Sequence, residues 1–378
     1  MATIIKNGRV ILPDFSGFST EPLLIENGYV VDKITDASNV TEINANGGYV
    51  LPGLVDIHNH GALGISYSDV DGDFKRALAF SASEGITSVV PTLYVNSIEN
   101  LKVQIDNILK KRDSFNDAAR IIGIHVEGPF IASNKTGAMR APSDMPTVEN
   151  FKNLVDSANG FIRVVTIAPE VENAEDIIKE GKKRGIRMSI GHTDASYDTA
   201  IAAINAGVSG ATHTFNAMRT FSHRDPGVLG AVLTDERVSC EIICDLIHLA
   251  GATIKLVYAA KGSDNVIVVS DNIAPAGFPN GDYVVDGILN TVKDGVCTVN
   301  EGKTIAGSIQ SQTAGARNLI KLGIPLNEVS KLCSYNPARA VGMDNEIGSI
   351  APGKLADIII ADENLNVKHT FINGIQIS

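Results

Sequence analysis

Eight nearly continuous apolar runs that alternate with helical patterns, together with turn-rich apolar segments at both ends of the chain, predict an α/β fold. Strands that alternate with helices indicate parallel βα units, and eight such units close naturally into a barrel. The sequence therefore predicts a (β/α)8 TIM-like barrel with a small β-sandwich domain built from both termini. A doubly wound open sheet is the structural alternative.

The two ends of the 378-residue chain share one style. Residues 1–50 contain short apolar runs broken by Asn-Gly and Gly-Gly, dipeptides that are typical of tight turns between antiparallel strands. Residues 346–378 repeat this style. Because chain termini often lie close in space, we expect both ends to build one small β-domain, with residues 51–345 forming the barrel.

The eight apolar runs between these ends each finish abruptly in polar residues. Their composition is that of strands buried on both faces, as in a parallel sheet. Helical-period segments such as NAEDIIKEGKKRG separate many of them. The predicted strands are Tyr49–Asp56, Ile86–Thr92, Arg120–Glu127, Ile162–Ala168, Ile186–His192, Val208–His213, Ser239–Asp245 and Val266–Asp271.

Composition is that of a soluble globular protein, with 44% hydrophobic and 20% charged residues. A net charge of -11 argues against a nucleic-acid-binding surface, which needs clustered lysine and arginine. No segment reaches the roughly 18 apolar residues of a membrane helix, and the start MATIIKNGRV lacks the features of a signal peptide. The four cysteines form no Cys-x-x-Cys motif. We therefore predict a cytoplasmic protein with reduced thiols and no nucleic-acid or membrane partner.

Histidines concentrate where the predicted strands end. Six of the eight lie at or near such an end, and His58 and His60 share one face of the first strand because strand side chains repeat every two residues. Reactive residues of such barrels lie at the C-terminal ends of the strands. The candidates, including the carboxylates at these ends, are His58, His60, His125, Glu127, His192, His213, Asp245, His248 and Asp271.

A cluster of imidazoles and carboxylates without cysteine suits zinc, iron, manganese or a similar divalent ion that acts as a Lewis acid. Asp271 would take a proton from water and pass it to a leaving group. Each residue alone could equally be a strand-end residue that only caps the next helix. Together they predict metal-assisted hydrolysis, with one or two ions held by His58, His60, Glu127, His192 and His213.

The chain also resembles the amidohydrolase superfamily, and within it the N-acetylglucosamine-6-phosphate deacetylase family, over nearly its whole length. LPGLVDIHNHG is similar to the first-strand metal motif, and GIHVEGPF to the segment whose glutamate binds metal. IGHTDA and ATHTFNAMRTFSHRDPG resemble two metal-histidine motifs, VSDNIAPAG the catalytic-aspartate motif, and IAGS a substrate-contacting turn. The combination of Phe-Asn-Ala-Met with His-Arg-Asp-Pro-Gly is the most specific of these signals.

This resemblance implies hydrolysis of the N-acetyl group of N-acetylglucosamine 6-phosphate to glucosamine 6-phosphate and acetate. It implies that Asp271 is the catalytic acid and base and that His248 polarises the acetyl carbonyl. The substrate-binding residues that it implies are Ala138, Met139, Asn216, Ala217, Arg224, His248, Ile305, Ala306 and Gly307.

Arg224 would bind the sugar phosphate, because a planar guanidinium pairs with two phosphate oxygens at once. In relatives the equivalent arginine reaches in from a neighbouring subunit. The resemblance therefore implies a homodimer in which Arg224 reaches the neighbouring active site.

Three positions depart from the family pattern. Leu246 stands where relatives usually have glycine, so we expect a different local backbone there. Met139 stands where some relatives have histidine, and a thioether hydrogen-bonds weakly, which leaves the choice between the glucosamine and galactosamine epimers open. No lysine follows the fourth strand, in VTIAPE, so Glu127 is expected to bridge the metals in place of a modified lysine.

Two other functions stay open at this point. An amidohydrolase that acts on a cyclic amide or an N-acyl amino acid would have the same metal residues, but it would leave Arg224 without a role. A non-enzymatic barrel would be expected to have lost some ligands, whereas all five and Asp271 are present.

Overall fold

Eight parallel strands form a nearly closed barrel in the computed structural model, which describes residues 2–285 and 287–377. Neighbouring strands pair in chain order, and nearly every strand residue is buried, as expected for strands packed on both faces. The predicted barrel is confirmed. Its strands are Leu54–Asn59 (β1), Ile86–Leu93 (β2), Ile124–Glu127 (β3), Ile162–Ile167 (β4), Arg187–Ile190 (β5), Gly210–Ala211 (β6), Ser239–Ile243 (β7) and Val266–Val269 (β8), with a two-residue strand Arg120–Ile121 before β3.

The barrel closes between β1 and β8 through hydrogen bonds just beyond the last residues of β8. The Asp271 amide donates to the His58 carbonyl at 2.9 Å, and the His60 amide donates to the Asn272 carbonyl at 2.7 Å. Asp56 reinforces this seam because its carboxylate accepts the Ser270 amide at 3.1 Å. The side chain of Asp56 therefore holds the backbone that carries the first two histidines. Burial raises the pKa of Asp56, although these hydrogen bonds oppose the rise.

Helices follow the strands and cover the outside of the barrel. Four of them begin at a serine or threonine whose side chain accepts an amide three residues later, the arrangement that satisfies a free helix N–H group. The helices are Phe74–Ser83, Ile98–Lys111, Val148–Asp156, Ala174–Lys183, Tyr197–Ala206, Gly227–Thr234, Gly251–Lys261, Gln312–Lys321, Leu326–Ser330 and Asn336–Ala340, with a π-helical turn at Lys331–Tyr335.

Both ends of the chain contribute to a six-stranded sheet, and the N-terminal part alone forms a four-stranded sheet. The six-stranded sheet contains Arg9–Ile11, Phe18–Ser19, Tyr49–Pro52, Ile358–Ala361, Val367–Ile372 and Ile375–Gln376. The four-stranded sheet contains Ala2–Lys6, Leu23–Glu26, Tyr29–Val30 and Val40–Asn44. The expected division at residues 50 and 51 falls inside Tyr49–Pro52, and the domain ranges 1–50 plus 346–378 and 51–345 stay a prediction.

The predicted first strand, Tyr49–Asp56, is wrong as a single element. Tyr49–Pro52 pairs with Ile358–Ala361 in the six-stranded sheet, whereas the barrel strand begins at Leu54. Gly53 separates the two, and a Cβ there would lie 2.3 Å from Thr87 of β2. The chain changes sheets at a glycine because no side chain fits at this close approach.

A second four-stranded sheet, which the sequence does not predict, lies between β8 and helix Gln312–Lys321 along the chain. It is an antiparallel meander whose inner face packs on Ile273 and Ala306 beside the mouth of the barrel. Its strands are Gly281–Val285, Ile288–Lys293, Val296–Val299 and Thr304–Ile305. A separate two-stranded hairpin, Gly61–Ala62 and Ile65–Ser66, follows β1.

The sequence predicts reduced cysteines and no membrane-spanning helix. All four cysteines are buried free thiols. Across residues 2–285 and 287–377, no helix combines the length and the apolar character that a membrane crossing requires.

Candidate metal centre and active site

Six of the predicted site residues meet at the C-terminal mouth of the barrel. His58 is in β1 and His60 lies just beyond it, while Glu127 is the last residue of β3. The other three occupy the turns just after β5, β6 and β8. All six are buried, with 0–8% of their surface exposed. They form two groups whose potential ligand atoms lie within 4.8 Å of one another, namely His58, His60 and Asp271, and Glu127, His192 and His213.

The first group is built around the two β1 histidines. Their Nε2 atoms are 3.2 Å apart. Asp271 Oδ1 lies 3.3 Å from His58 Nε2 and 3.4 Å from His60 Nε2. Two imidazoles and a carboxylate oxygen therefore face one point.

The second group centres on Glu127. Its Oε1 lies 3.0 Å from His192 Nε2 and 2.9 Å from His213 Nε2. Its Oε2 lies 3.3 Å from His60 Nε2. One carboxylate thus contacts both groups, which is the arrangement expected of a carboxylate that bridges two ions.

Unusual backbone geometry positions three of these side chains. His192, His213 and Asp271 have φ angles of 48°, 28° and 50°, in the left-handed region that side chains rarely adopt. Such conformations cost roughly 1–3 kcal/mol each and persist where the surrounding structure fixes them. For His192, the Nδ1–H donates to the Lys135 carbonyl at 2.7 Å, which leaves Nε2 directed at Glu127.

The electrostatics of the cluster fit a divalent cation. Burial lowers the pKa of His58, but the carboxylates of Asp271 and Glu127 outweigh burial and hold that pKa well above its ordinary value. Burial likewise raises the pKa of Glu127, and the surrounding histidines reverse this and bring it well below its ordinary value. Converging nitrogen and carboxylate donors without sulfur match the hard and borderline metals. The residues present therefore fit one or two divalent ions.

Glu241 also belongs to this site, although it is not among the candidates predicted from the sequence. It lies within β7, is fully buried, and places Oε2 3.6 Å from His58 Nδ1. Arg187 Nε lies 3.8 Å from its other oxygen. A carboxylate behind a metal-binding imidazole orients the ring and increases its basicity. The available signal was a charged residue inside the otherwise apolar run SCEIIC.

Tyr94 is a second missed residue. Its ring stacks on the His60 imidazole with centroids 3.8 Å apart and planes 2° from parallel.

His125, a candidate predicted from the sequence, lies inside the barrel, where it faces Thr166 Oγ1 at 2.8 Å and Thr92 Oγ1 at 3.4 Å. Burial lowers the pKa of His125 well below its ordinary value, so it is a neutral core residue.

His248 is held next to this centre by Asp245. Its Nδ1–H donates to Asp245 Oδ2 at 2.7 Å, and its Nε2–H donates to the Ala306 carbonyl at 2.9 Å. Burial lowers the pKa of His248, but the Asp245 carboxylate outweighs burial and raises it above its ordinary value. Ser308 also donates to Asp245, at 2.9 Å, which fixes the carboxylate.

Leu246, the position that departs from the family glycine, follows Asp245 with φ of 64°. This conformation favours glycine, and here a leucine adopts it with 43% of its surface exposed.

Most of the expected substrate-binding residues lie around the same mouth. Asn216 donates from Nδ2 to the His213 carbonyl at 3.1 Å. A Cβ on Gly137 would lie 3.5 Å from His192 and 3.8 Å from the Ala217 Cβ, so the segment with Ala138 and Met139 borders both. Gly307 lies against Asp271, Ala306 against His248, and Ile305 is 45% exposed at the edge of the added sheet.

Arg224 is exposed on a loop rather than in the cluster of its own chain. The loop is braced by reciprocal backbone hydrogen bonds of 3.1 Å between Ser222 and Asp225 and by an ion pair of 2.6 Å between Arg219 and Asp225. Arg224 therefore lies on a turn that these contacts define, with its side chain exposed to solvent.

The comparison with known families agrees with this geometry. The family model described as "Amidohydrolase family" matches residues 49–377, which include the whole barrel. The chain belongs to the amidohydrolase family. The resemblance inferred from the sequence motifs is thereby confirmed.

Curated relatives and solved structures of this family match over almost the entire chain. The N-acetylglucosamine-6-phosphate deacetylase of Bacillus subtilis (strain 168) is 33% identical and is covered over 94% of each chain. The N-acetylgalactosamine-6-phosphate deacetylase of Escherichia coli O157:H7 is 30% identical over 98% of each. An N-acetyl-D-glucosamine-6-phosphate deacetylase mutant from Mycobacterium smegmatis, solved with N-acetyl-D-glucosamine-6-phosphate, has a TM-score of 0.90, 29% identity, and coverage of 100% and 99%.

Proposed function

We propose that this amidohydrolase removes the N-acetyl group of N-acetylglucosamine 6-phosphate and produces glucosamine 6-phosphate and acetate. The observation that carries the proposal is the buried cluster in which Glu127 contacts two histidine pairs while Asp271 faces one of them. Relatives about 30% identical bear the name of this activity. The sequence alternative of a non-enzymatic scaffold leaves that complete cluster without a role.

The metal ligands in this proposal are His58, His60, Glu127, His192 and His213. One or two divalent ions such as zinc, iron or manganese would polarise the acetyl carbonyl and activate water.

Asp271 moves the proton in this reaction. Its Oδ1 lies within 3.4 Å of both β1 histidines, so the carboxylate borders the point where water would be activated. It would accept a proton from the attacking water and donate it to the departing nitrogen as the C–N bond breaks. A carboxylate completes both transfers because it begins and ends the cycle ionised.

His248 stabilises the negative charge that develops on the carbonyl oxygen. Because Asp245 holds its Nδ1–H, its Nε2–H is available as a fixed donor. In this structure the donor meets the Ala306 carbonyl, 2.9 Å away, and a substrate carbonyl would take its place.

The phosphate would be bound by Asn216, the Ala217 backbone and Arg224. Arg224 is exposed in its own chain, which supports a homodimer in which each Arg224 reaches the active site of its neighbour. A phosphorylated substrate gives Arg224 a role, whereas a cyclic amide or an N-acyl amino acid would leave it without one. The cytoplasmic location stays a prediction.

The galactosamine epimer is the second candidate substrate. A relative 30% identical over 98% of the chain is named for that epimer. Met139 lies where a histidine would offer a hydrogen bond to a sugar hydroxyl, and the thioether offers little discrimination.

The test is a parallel assay of N-acetylglucosamine 6-phosphate, its galactosamine epimer and the unphosphorylated sugar, on enzyme of measured metal content. The proposal predicts the highest kcat/KM for the glucosamine 6-phosphate and a large loss without phosphate. A higher kcat/KM for the epimer would support the second candidate, and no acetate release from any of the three would contradict both.

A further inference from the structure

A cavity of about 200 Å³ opens beside the metal centre, bounded on one side by the sheet at residues 281–305. Two of the residues that line it lie against side chains of the metal centre. A Cβ on Gly307 would lie 3.3 Å from Asp271 Oδ1, and Tyr94 stacks on His60. The residues around it include Tyr94, Met139, Ile273, Ile288, Asn290 and Gly307.

The cavity and the proposed phosphate site occupy different halves of the barrel mouth. The cavity residues follow β1, β2, β3 and β8, as Ser68, Tyr94 and Ile273 illustrate. Asn216 and Ala217, which the proposal assigns to the phosphate, follow β6 of the same chain, whereas the proposed Arg224 contact would come from the neighbouring subunit. In a 2-acylamino sugar 6-phosphate, the acyl nitrogen and the phosphate lie on opposite sides of the ring. A substrate whose phosphate lies above β6 therefore directs its acyl group toward the cavity.

The sugar and the acyl group would share this cavity, because the expected substrate-binding residues Ala138, Met139, Ala306 and Gly307 form one part of its wall. One water molecule, about the size of a methyl group, requires roughly 10–15 Å³ of such space, so two added methylene groups are small beside the 200 Å³ that the sugar and the acyl group would share. Much of the wall is apolar, formed by side chains such as Val95, Ile273 and Ile288. Space of this character accepts additional methylene groups.

We propose that the enzyme also hydrolyses N-propanoyl and N-butanoyl groups from the same amino sugar phosphates. This inference rests on the proposed function, because the same centre performs the reaction. One water is consumed in each turnover: its oxygen bonds to the acyl carbon, the C–N bond breaks, and Asp271 carries the proton to the nitrogen. The products are the free amino sugar phosphate and propanoate or butanoate.

The first experiment compares kcat/KM for the N-acetyl, N-propanoyl and N-butanoyl derivatives of glucosamine 6-phosphate with the metal-loaded enzyme. A pocket fitted to acetyl would reject each added methylene by about tenfold or more. We expect the butanoyl derivative to stay within about tenfold of the acetyl derivative. A loss of more than about 100-fold would overturn the inference, whereas no hydrolysis of any derivative, acetyl included, would contradict the proposed function instead.

The second experiment narrows the cavity with Ile288→Phe. The matched control is Leu289→Phe, because Leu289 is the next residue of the same strand, is 55% exposed, and is not among the residues around the cavity. Ile288→Phe should lower kcat/KM for the butanoyl derivative by about tenfold or more and change the acetyl value by less than about threefold. The control should change neither.

Equal losses for both substrates in Ile288→Phe would overturn the assignment of the cavity to the acyl chain. Should Ile288→Phe fail to fold, Ile288→Ala provides the complementary test. It widens the cavity and should raise the ratio of butanoyl to acetyl hydrolysis, and an unchanged or lower ratio would count against the inference.

Discussion

Replacing Glu241 by glutamine should weaken metal binding although Glu241 is not itself a ligand. Its Oε2 lies 3.6 Å from His58 Nδ1, and both side chains are fully buried. Two full unit charges at this separation interact by about 4–5 kcal/mol at an effective dielectric constant near 20. A metal-binding imidazole carries only part of a charge, so this energy is an upper bound. Carboxylates in this position typically contribute 10–100-fold to metal affinity or activity.

The second neighbour of Glu241 provides the control. Glu241 also lies 3.8 Å from the buried Arg187, and removing one partner of a buried ion pair destabilises a protein by roughly 3–5 kcal/mol. Arg187→Met breaks the same pair from the other side but keeps the carboxylate at His58. Both variants should lose stability, and Glu241→Gln alone should lose metal affinity.

The assay is chelator competition on the intact protein, with metal content by elemental analysis and stability by thermal unfolding. We expect a dissociation constant about 10–100-fold higher for Glu241→Gln and within about twofold of the unmodified protein for Arg187→Met. Equal weakening by both variants, or none by Glu241→Gln, would refute the assigned role.

Three further predictions concern substrate binding, pH and backbone strain. Arg224→Ala should raise KM for the phosphorylated sugar by about 10–100-fold, as expected for a lost charge-assisted contact, and should leave KM for the unphosphorylated sugar unchanged; an unchanged KM for both would remove the phosphate assignment. Asp245→Asn should move the basic limb of the kcat/KM profile to lower pH, because the Asp245 carboxylate raises the pKa of His248 and the protonated imidazole is lost as pH rises through that pKa; a limb that stays in place would contradict this. Leu246→Gly should not destabilise the protein in thermal unfolding, since relief of about 1–2 kcal/mol of left-handed strain exceeds the roughly 0.5–1 kcal/mol entropy cost of glycine; a clear fall in Tm, or stabilisation by Leu246→Ala as well, would argue otherwise.

The barrel could be predicted from the sequence because buried parallel strands produce long apolar runs. The C-terminal ends of these runs carry the polar residues of the site. His58 and His60 were candidates for that reason, and the structure brings them to Glu127 and Asp271. The boundary of β1 could not be predicted in the same way. Tyr49–Pro52 and β1 form one continuous apolar run in the sequence. They are separated at Gly53, where the close approach to Thr87 leaves no space for a side chain.

Other parts of the site depend on contacts between residues distant in the chain. Glu241 becomes informative only when His58 and Arg187 are seen beside it. Tyr94 belongs to none of the polar motifs at the strand ends. Its stacking on His60 joins residues that are distant in the chain, so the sequence does not indicate it. The sheet at residues 281–305 consists of short strands with mixed exposure, without the long apolar runs that mark the barrel strands.

The turnover of metal-loaded Asp271→Asn on N-acetylglucosamine 6-phosphate tests directly whether Asp271 transfers the proton. The amide keeps the size of the carboxylate but cannot accept the proton of water. We expect a folded protein that still binds metal at Glu127, His192 and His213, with kcat lower by about 10²–10⁴-fold. Turnover close to that of the unmodified enzyme would contradict proton transfer through Asp271 and with it the proposed reaction at this centre.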